Sequence, residues 1–402
     1  MKTTMKRIFS AALACVTAAA ALSLASCGKK SDWPVDEATG LTELYIGGIG
    51  PTSGAYANYG TSVMNGAKLA VSEINAAGGV NGFKFVLNFQ DSAGDPTSAK
   101  NAYGKQIDEG MKVSLGATLS GETASVVTEA KADGILVLTP SASAKSAIEG
   151  SDSAFRVCFN DPGQGTLAAK YIAEYKLGTK IALFYDSGTD YSTGIIENFK
   201  AACAANGLTI VGEPQTFTES TSTDFSTQIN AIEASGADLV FMPIYASEAA
   251  SFLTQAREAG KLKNIACFGC DGLDGILQKI GESKVANAEG VYMLTPFAAD
   301  DTATDVVAFV AAYKAAYNAV PDQFAADGYD AVYAVKAAIE QAALSSEDTE
   351  DFNSRIVAAM TKIKVDGVTG DMSWTADGET TKDAKILVVK DGVAIDYLST
   401  RN

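Results

Sequence analysis

The 402-residue chain contains no histidine. That absence removes the most common general base and every Ser-His triad, and it takes away one of the two usual ligand types of a zinc site. GxSxG elbows, P-loops and HExxH helices are missing as well. Gly47-Gly48-Ile49-Gly50 follows an apolar run and faintly suggests a dinucleotide turn, but it lacks the GxGxxG spacing and Pro51 comes next. Positive charge is scarce, with 31 Lys and Arg against 48 Asp and Glu and a formal net charge of -17. A surface this acidic repels nucleic acid and anionic lipid faces, and no basic patch offsets it, so nucleic-acid binding is excluded. Carboxylates this plentiful pair by chance and give no support to a glycosidase. A non-enzymatic protein without cofactor is expected, and a secreted α/β hydrolase is the reading that these absences disfavour.

Cysteine is also sparse, at six residues. Cys267-Phe268-Gly269-Cys270 has the CxxC spacing of a redox pair or half a metal site. There is no second CxxC, so no metal site is expected. Small buried residues at a strand end are the favoured reading, with disulfides at Cys267/Cys270 or Cys158/Cys203 left open. The one long apolar run lies at the start. Lys2, Lys6 and Arg7 precede an Ala-rich stretch over residues 8–24, the pattern of a secretory leader. No later run approaches the roughly 18 apolar residues of a membrane span. Leu24-Ala25-Ser26-Cys27 resembles a bacterial lipobox, which implies cleavage before Cys27 and a lipid on its thiol. Residues 1–26 are therefore expected to be a signal peptide and residues 27–42 a lipidated tether that holds the rest outside the cell.

From residue 43 onward some 360 residues exceed the size at which single cores stop growing, so two domains are expected. Short apolar runs alternate with amphipathic stretches, the signature of parallel sheets wrapped by helices. Strands are expected over 44–50, 83–89, 113–116 and 135–139, with a helix over 59–76 that stops at Gly78-Gly79. Asp95-Pro96 opens the next helix. The rhythm restarts after Arg156, with strands near 180–185, 208–211, 238–242 and 265–269. After a strand near 290–294 come two long helical stretches, then a last strand over 384–390. This tail implies that the chain crosses between lobes more than once. Two doubly wound α/β lobes facing each other make a cleft at the C-terminal ends of their strands. Two strand-to-helix loops there, 118–123 and 139–144, are rich in hydroxyls. Helix starts of this kind serve as plain caps or as carboxylate traps.

Beyond these patterns, the chain resembles the leucine/isoleucine/valine-binding protein family, with the type I periplasmic-binding fold. The resembling segments run in the family's order. They are Gly50-Pro51-Thr52-Ser53-Gly54 with Tyr59-Gly60, Asn65-Gly66-Ala67, 74–82, 91–96, 138–143, Gln164-Gly165 through Tyr171, and Gly328-Tyr329-Asp330-Ala331. The resemblance implies two lobes joined by three crossovers, one from 43–158 with 292–372 and the other from 159–291 with 373–402. It implies that a ligand α-carboxylate meets the Ser120 and Ser143 hydroxyls and backbone groups of Ser141 and Ala142. Asp271 would hold the α-ammonium, Tyr191 and Tyr245 would close over the ligand, and Tyr59 would line a side-chain pocket. The implied ligand is an amino acid, branched-chain aliphatic first, with other amino acids, amides and aromatic acids as alternatives. The implied partner is an ABC permease, with a sensory receptor or kinase as the rival, and the implied state is a monomer.

Overall fold

The structure, a computed structural model, describes residues 33–347 and 351–401. The leader and Cys27 lie outside the described residues. The first lobe is built on a five-stranded sheet: β1 (Thr42–Gly50), β2 (Phe83–Asp91), β3 (Val113–Leu115), β4 (Leu136–Thr139) and β5 (Ala154–Arg156). Their order is β2-β1-β3-β4-β5, parallel throughout. Helices α1 (Ala57–Ala76), α2 (Pro96–Asp108) and α3 (Ser120–Asp133) connect them. As the sequence implied, Asp95 caps α2, accepting the Ser98 amide at 2.7 Å, with Pro96 in the first turn.

The second lobe begins with α4 (Asp161–Glu174), β6 (Lys180–Asp186) and α5 (Asp190–Cys203). It continues through β7 (Thr209–Ile210), β8 (Gln215–Phe217), α6 (Ser226–Ala234), β9 (Leu239–Phe241) and α7 (Ala246–Glu258), then β10 (Ala266–Gly269), α8 (Ile276–Ile280) and β11 (Val291–Thr295). The chain then returns to the first lobe as α9 (Thr304–Tyr317), α10 (Gln323–Gln341), α11 (Phe352–Met360) and a hairpin, β12 (Lys364–Gly367) with β13 (Gly370–Ser373). It crosses a third time to lay β14 (Lys385–Lys390) antiparallel on β11, followed by β15 (Val393–Asp396). The second sheet runs β15-β14-β11-β10-β9-β6-β7, with β8 also on β6. Two doubly wound lobes joined by three crossovers follow from this path.

Helix α10 packs along α1, which seats the returning segment on the first lobe. The approach is close because glycines meet there. A Cβ on Gly66 would overlap the Ala325 carbonyl, and one on Gly328 would overlap that of Val63. Around this crossing Leu44, Ile46, Ala67, Ile74, Phe83, Val335 and Ile339 form one buried cluster.

Two expectations change, and the disulfide pairings left open by the sequence find no support. Residues 292–295 belong to the second lobe, because Tyr292–Thr295 pair with β14 and Tyr292 and Met293 with β10, so the second crossover falls after Thr295. The ordered fold begins before residue 43. Trp33 rests on Phe83 and Phe352 with ring centroids 5.7 and 5.1 Å away, and Val35 bridges to Thr42. Cys158, Cys203, Cys267 and Cys270 are all free and buried, which excludes both disulfides.

Replacing Gly66 by Ala should cost about 1–3 kcal/mol through overpacking against backbone. The readout is a lower urea midpoint at unchanged slope, and an unchanged midpoint would show that α1 and α10 separate freely.

Candidate ligand-binding cleft

The C-terminal ends of the strands in both sheets point at one another, and the loops that leave them enclose a small cavity. Its walls are Thr118, Leu119, Ser120, Ser141 and Ser143 from the first sheet's loops, Tyr191, Tyr245, Asp271 and Gly272 from the second lobe, and Phe324 at the start of α10. The cavity is narrow, with about 10 Å³ of room. A wider mouth adjoins it, about 600 Å³, and shares Leu119, Ser120, Tyr191 and Tyr245 with it.

The hydroxyl side is wired loop to loop. Ser120 opens α3, and its Oγ accepts the Ala144 amide at 3.1 Å, tying the two loops together. The first turn of a 14-residue helix also leaves amides without intrahelical acceptors beside it. Ser141 Oγ donates to the Thr118 carbonyl at 2.8 Å. The Ser143 carbonyl accepts the Asp161 amide at 3.0 Å. Ala142 is fully buried and stays off the cavity wall. Its amide donates to Thr139 Oγ1 at 3.1 Å and its carbonyl accepts from Arg156 at 2.7 Å. Its backbone groups therefore shape the loop and do not face the cavity.

The opposite wall carries a buried carboxylate. Asp271 begins a single 3-10 turn after β10. Its Oδ1 accepts the Tyr191 hydroxyl at 2.8 Å and the Gly272 amide at 2.8 Å, while its own amide donates to Gln164 Oε1 at 3.1 Å. No ion pair among the described residues involves Asp271. Burial pushes its carboxyl up to about 6, with hydrogen bonds from Tyr191 and Gly272 pulling the other way. Tyr191 stacks on Tyr245 with centroids 4.9 Å apart and planes at 5°.

Tyr59 is fully buried but is not part of the wall. It stands behind Phe324, 4.5 Å between centroids. Its hydroxyl donates to the Gly272 carbonyl at 2.6 Å and accepts the Ala246 amide at 2.7 Å. Tyr59 therefore stitches lobe one to lobe two.

Several residues at the site escaped the sequence reading. Phe324 follows the second crossover, where no local pattern sets it apart from a core aromatic. Asp161 and Gln164 lie on the first turn of α4, both fully buried. Neither oxygen of Asp161 has a hydrogen-bond partner, and its carboxyl is pushed well up by burial, opposed by a Ser143 contact and reinforced by nearby Asp271. Across the cavity the Asp271 carboxyl on one wall thus faces hydroxyls and the first-turn amides of α3 on the other.

Residues 43–394 match the family model described as periplasmic binding protein. The chain is 32% identical over 311 residues to the Leu/Ile/Val-binding protein BraC3 of Rhizobium johnstonii, covering 77% of this chain and 82% of that one. It is 30% identical over 350 residues to the Leu/Ile/Val-binding protein of Citrobacter freundii, 84% and 88% covered. Among solved structures, the branched-chain amino acid transporter substrate-binding protein LivJ of Streptococcus pneumoniae, in complex with isoleucine, superposes with a TM-score of 0.79 at 28% identity, covering 88% of this chain and 98% of that one. A solute-binding protein of R. palustris in complex with benzoate superposes at 0.77 with 22% identity and shares the fold, covering 88% and 95%. With hydroxyls and helix amides on one lobe facing a buried carboxylate on the other, the chain belongs to the periplasmic binding protein family.

Proposed function

We propose that the protein is the extracytoplasmic solute-binding component of an ABC importer, lipid-anchored through Cys27 and monomeric. Its ligand is an α-amino acid, a branched-chain aliphatic one first. The observation that carries this reading is Asp271, a carboxylate buried opposite hydroxyls with no cation of its own. A ligand ammonium supplies the missing charge, and a ligand carboxylate suits the Ser120 and Ser143 loops. The aromatic walls of Tyr191, Tyr245 and Phe324 suit an apolar side chain. An aromatic acid such as the benzoate bound by one structural neighbour would use the same loops but leave Asp271 unpaired, which favours the amino acid.

An amino acid does not fit the room of a single water. Entry therefore requires the lobes to part, and return to the shut arrangement traps the ligand, a hinge closure about the three crossovers. The permease reads that shut form. No catalytic step is assigned to the site, whose groups bind and orient.

A thermal-shift screen against all amino acids, leucinamide and benzoate tests the ligand. A rise in Tm with leucine, isoleucine or valine is expected, and a response to benzoate alone sinks the amino-acid reading. Asp271→Ala should weaken the best amino acid by about 3–5 kcal/mol, since it strips the partner from a buried ammonium. Wild-type affinity in that variant would refute the assignment.

The pH dependence has a definite sign. A proton and the ammonium compete for the same carboxylate, which burial between the lobes raises to about 6. Affinity should be full well above that value and fall as pH drops through it, approaching about tenfold per unit below. Calorimetric titration checks this, and a flat profile between pH 8 and 5 contradicts the role of Asp271.

Tyr59→Phe leaves the Gly272 carbonyl and Ala246 amide unpaired when the lobes are shut, a loss of about 1–3 kcal/mol. Because Tyr59 is off the cavity wall, every ligand should weaken by the same factor. A ligand-selective change would instead place Tyr59 in contact with the side chain.

A further inference from the structure

Arg156 ends β5 and is the largest fully buried side chain among the described residues. Burying a guanidinium is costly unless its donors are used and its charge is answered. Its Nη1 donates to the Ala142 carbonyl at 2.7 Å and its Nη2 to the Ala144 carbonyl at 3.1 Å. Its Nε lies 3.2 Å from Glu379 Oε2, an ion-pair contact without hydrogen-bond alignment. Glu379 is itself partly open to solvent, with its side chain 25% exposed. Glu379 is its one ion-pair partner among the described residues, and the buried Asp161 carboxyl also feels its charge.

The two carbonyls that Arg156 holds flank Ser143, a residue of the cavity wall. In a trans peptide the carbonyl and the following amide point in opposite directions. Turning the Ala142 carbonyl onto the guanidinium therefore turns the Ser143 amide away from it. The guanidinium stays behind the loop, where its charge adds to the donors in front.

Arg156 is also tied to two of the three crossovers. Its amide donates to the Gly378 carbonyl at 3.1 Å, and its carbonyl accepts Trp374 Nε1 at 2.8 Å, both on the chain leading to the third crossing. Glu379 also accepts Asn160 Nδ2 at 2.9 Å. Asn160 caps α4 just past the first crossing, accepting the Gly163 amide at 2.8 Å.

We infer that Arg156 is a positioning residue for ligand capture. It orients the 142–144 loop toward a ligand carboxylate, supplies charge behind it, and joins that loop to the first and third crossovers. The inference rests on the reading that a ligand carboxylate meets these loops.

The test compares acids with their uncharged amides in the purified protein by calorimetric titration. L-leucine is paired with L-leucinamide, and benzoate with benzamide. Arg156→Gln should raise the Kd of whichever acid binds by roughly ten- to a hundredfold, the size of losing one charge near another in a partly buried site. The matching amide should move far less, so the preference for acid over amide collapses. Arg156→Lys keeps the charge but offers no planar fork for two carbonyls, and should recover part of the acid affinity. Should Arg156→Gln fail to melt cooperatively, Arg156→Lys carries the test, with a smaller loss confined to the acid. Equal losses for acid and amide, or no loss at all, make Arg156 a structural pin and overturn the inference. Where isoleucine or valine binds best, it and its amide replace the leucine pair, and an unsubstituted protein that binds no amino acid sinks the proposed function instead.

Discussion

A carboxylate buried without a cation is the constraint that orders the rest of this molecule. Asp271 sits just past β10, where a phenol, a backbone amide and the nearby Gln164 and Gln323 side chains are its neutral partners. Such a group is tolerable when protonated or when a positive charge arrives from outside. The groups around it shut out water without supplying a charge. Tyr191 stacks on Tyr245 above it, Phe324 closes one side, and the first lobe presents hydroxyls opposite. Because the two walls come from different sheets, the site exists only when both lobes meet.

The three crossovers turn that geometry into mechanics. They bring α9 to α11 back onto the first lobe and β14 onto the second, so neither lobe is a simple continuous segment. Polar contacts cross the cleft, among them Tyr59 to Gly272 and Ala246, Tyr56 to Glu248 at 3.2 Å, Ser247 to the Ala55 carbonyl at 2.9 Å and Ser146 to Asp190 at 2.7 Å. Contacts of this kind contribute about 0.5–1.5 kcal/mol each.

What was legible in the sequence follows from the range of the interactions. β1 and α1 could be read because their apolar spacing is local and Gly78-Gly79 marks the helix end. Ser120, Ser143, Tyr191, Tyr245 and Asp271 were reached through the resemblance and come together on one cavity. Ala142 and Tyr59 do not join that wall. Apart from Thr139, three residues away, their partners Arg156, Gly272 and Ala246 are chosen by tertiary packing that no spacing encodes. β11 was placed in the wrong lobe because an apolar run of five residues does not say which sheet it joins. Its partners come from β10 just before it and from β14 some 90 residues later. Nothing local to Asp161 marks it as part of a site, and only the fold brings it beside Asp271 and Ser143.

The packing of Trp33 shortens the leash. If Cys27 carries the lipid, residues 28–32 alone separate the anchor from a ring seated on Phe83 and Phe352. From Cys27 to Trp33 the extended chain reaches at most roughly 21 Å, about two-thirds of the diameter of a small domain. The protein would then patrol a thin layer against the bilayer, with one pole of its first lobe kept low. Encounter with a permease would become a search across a plane, at the raised effective concentration that a short connection provides.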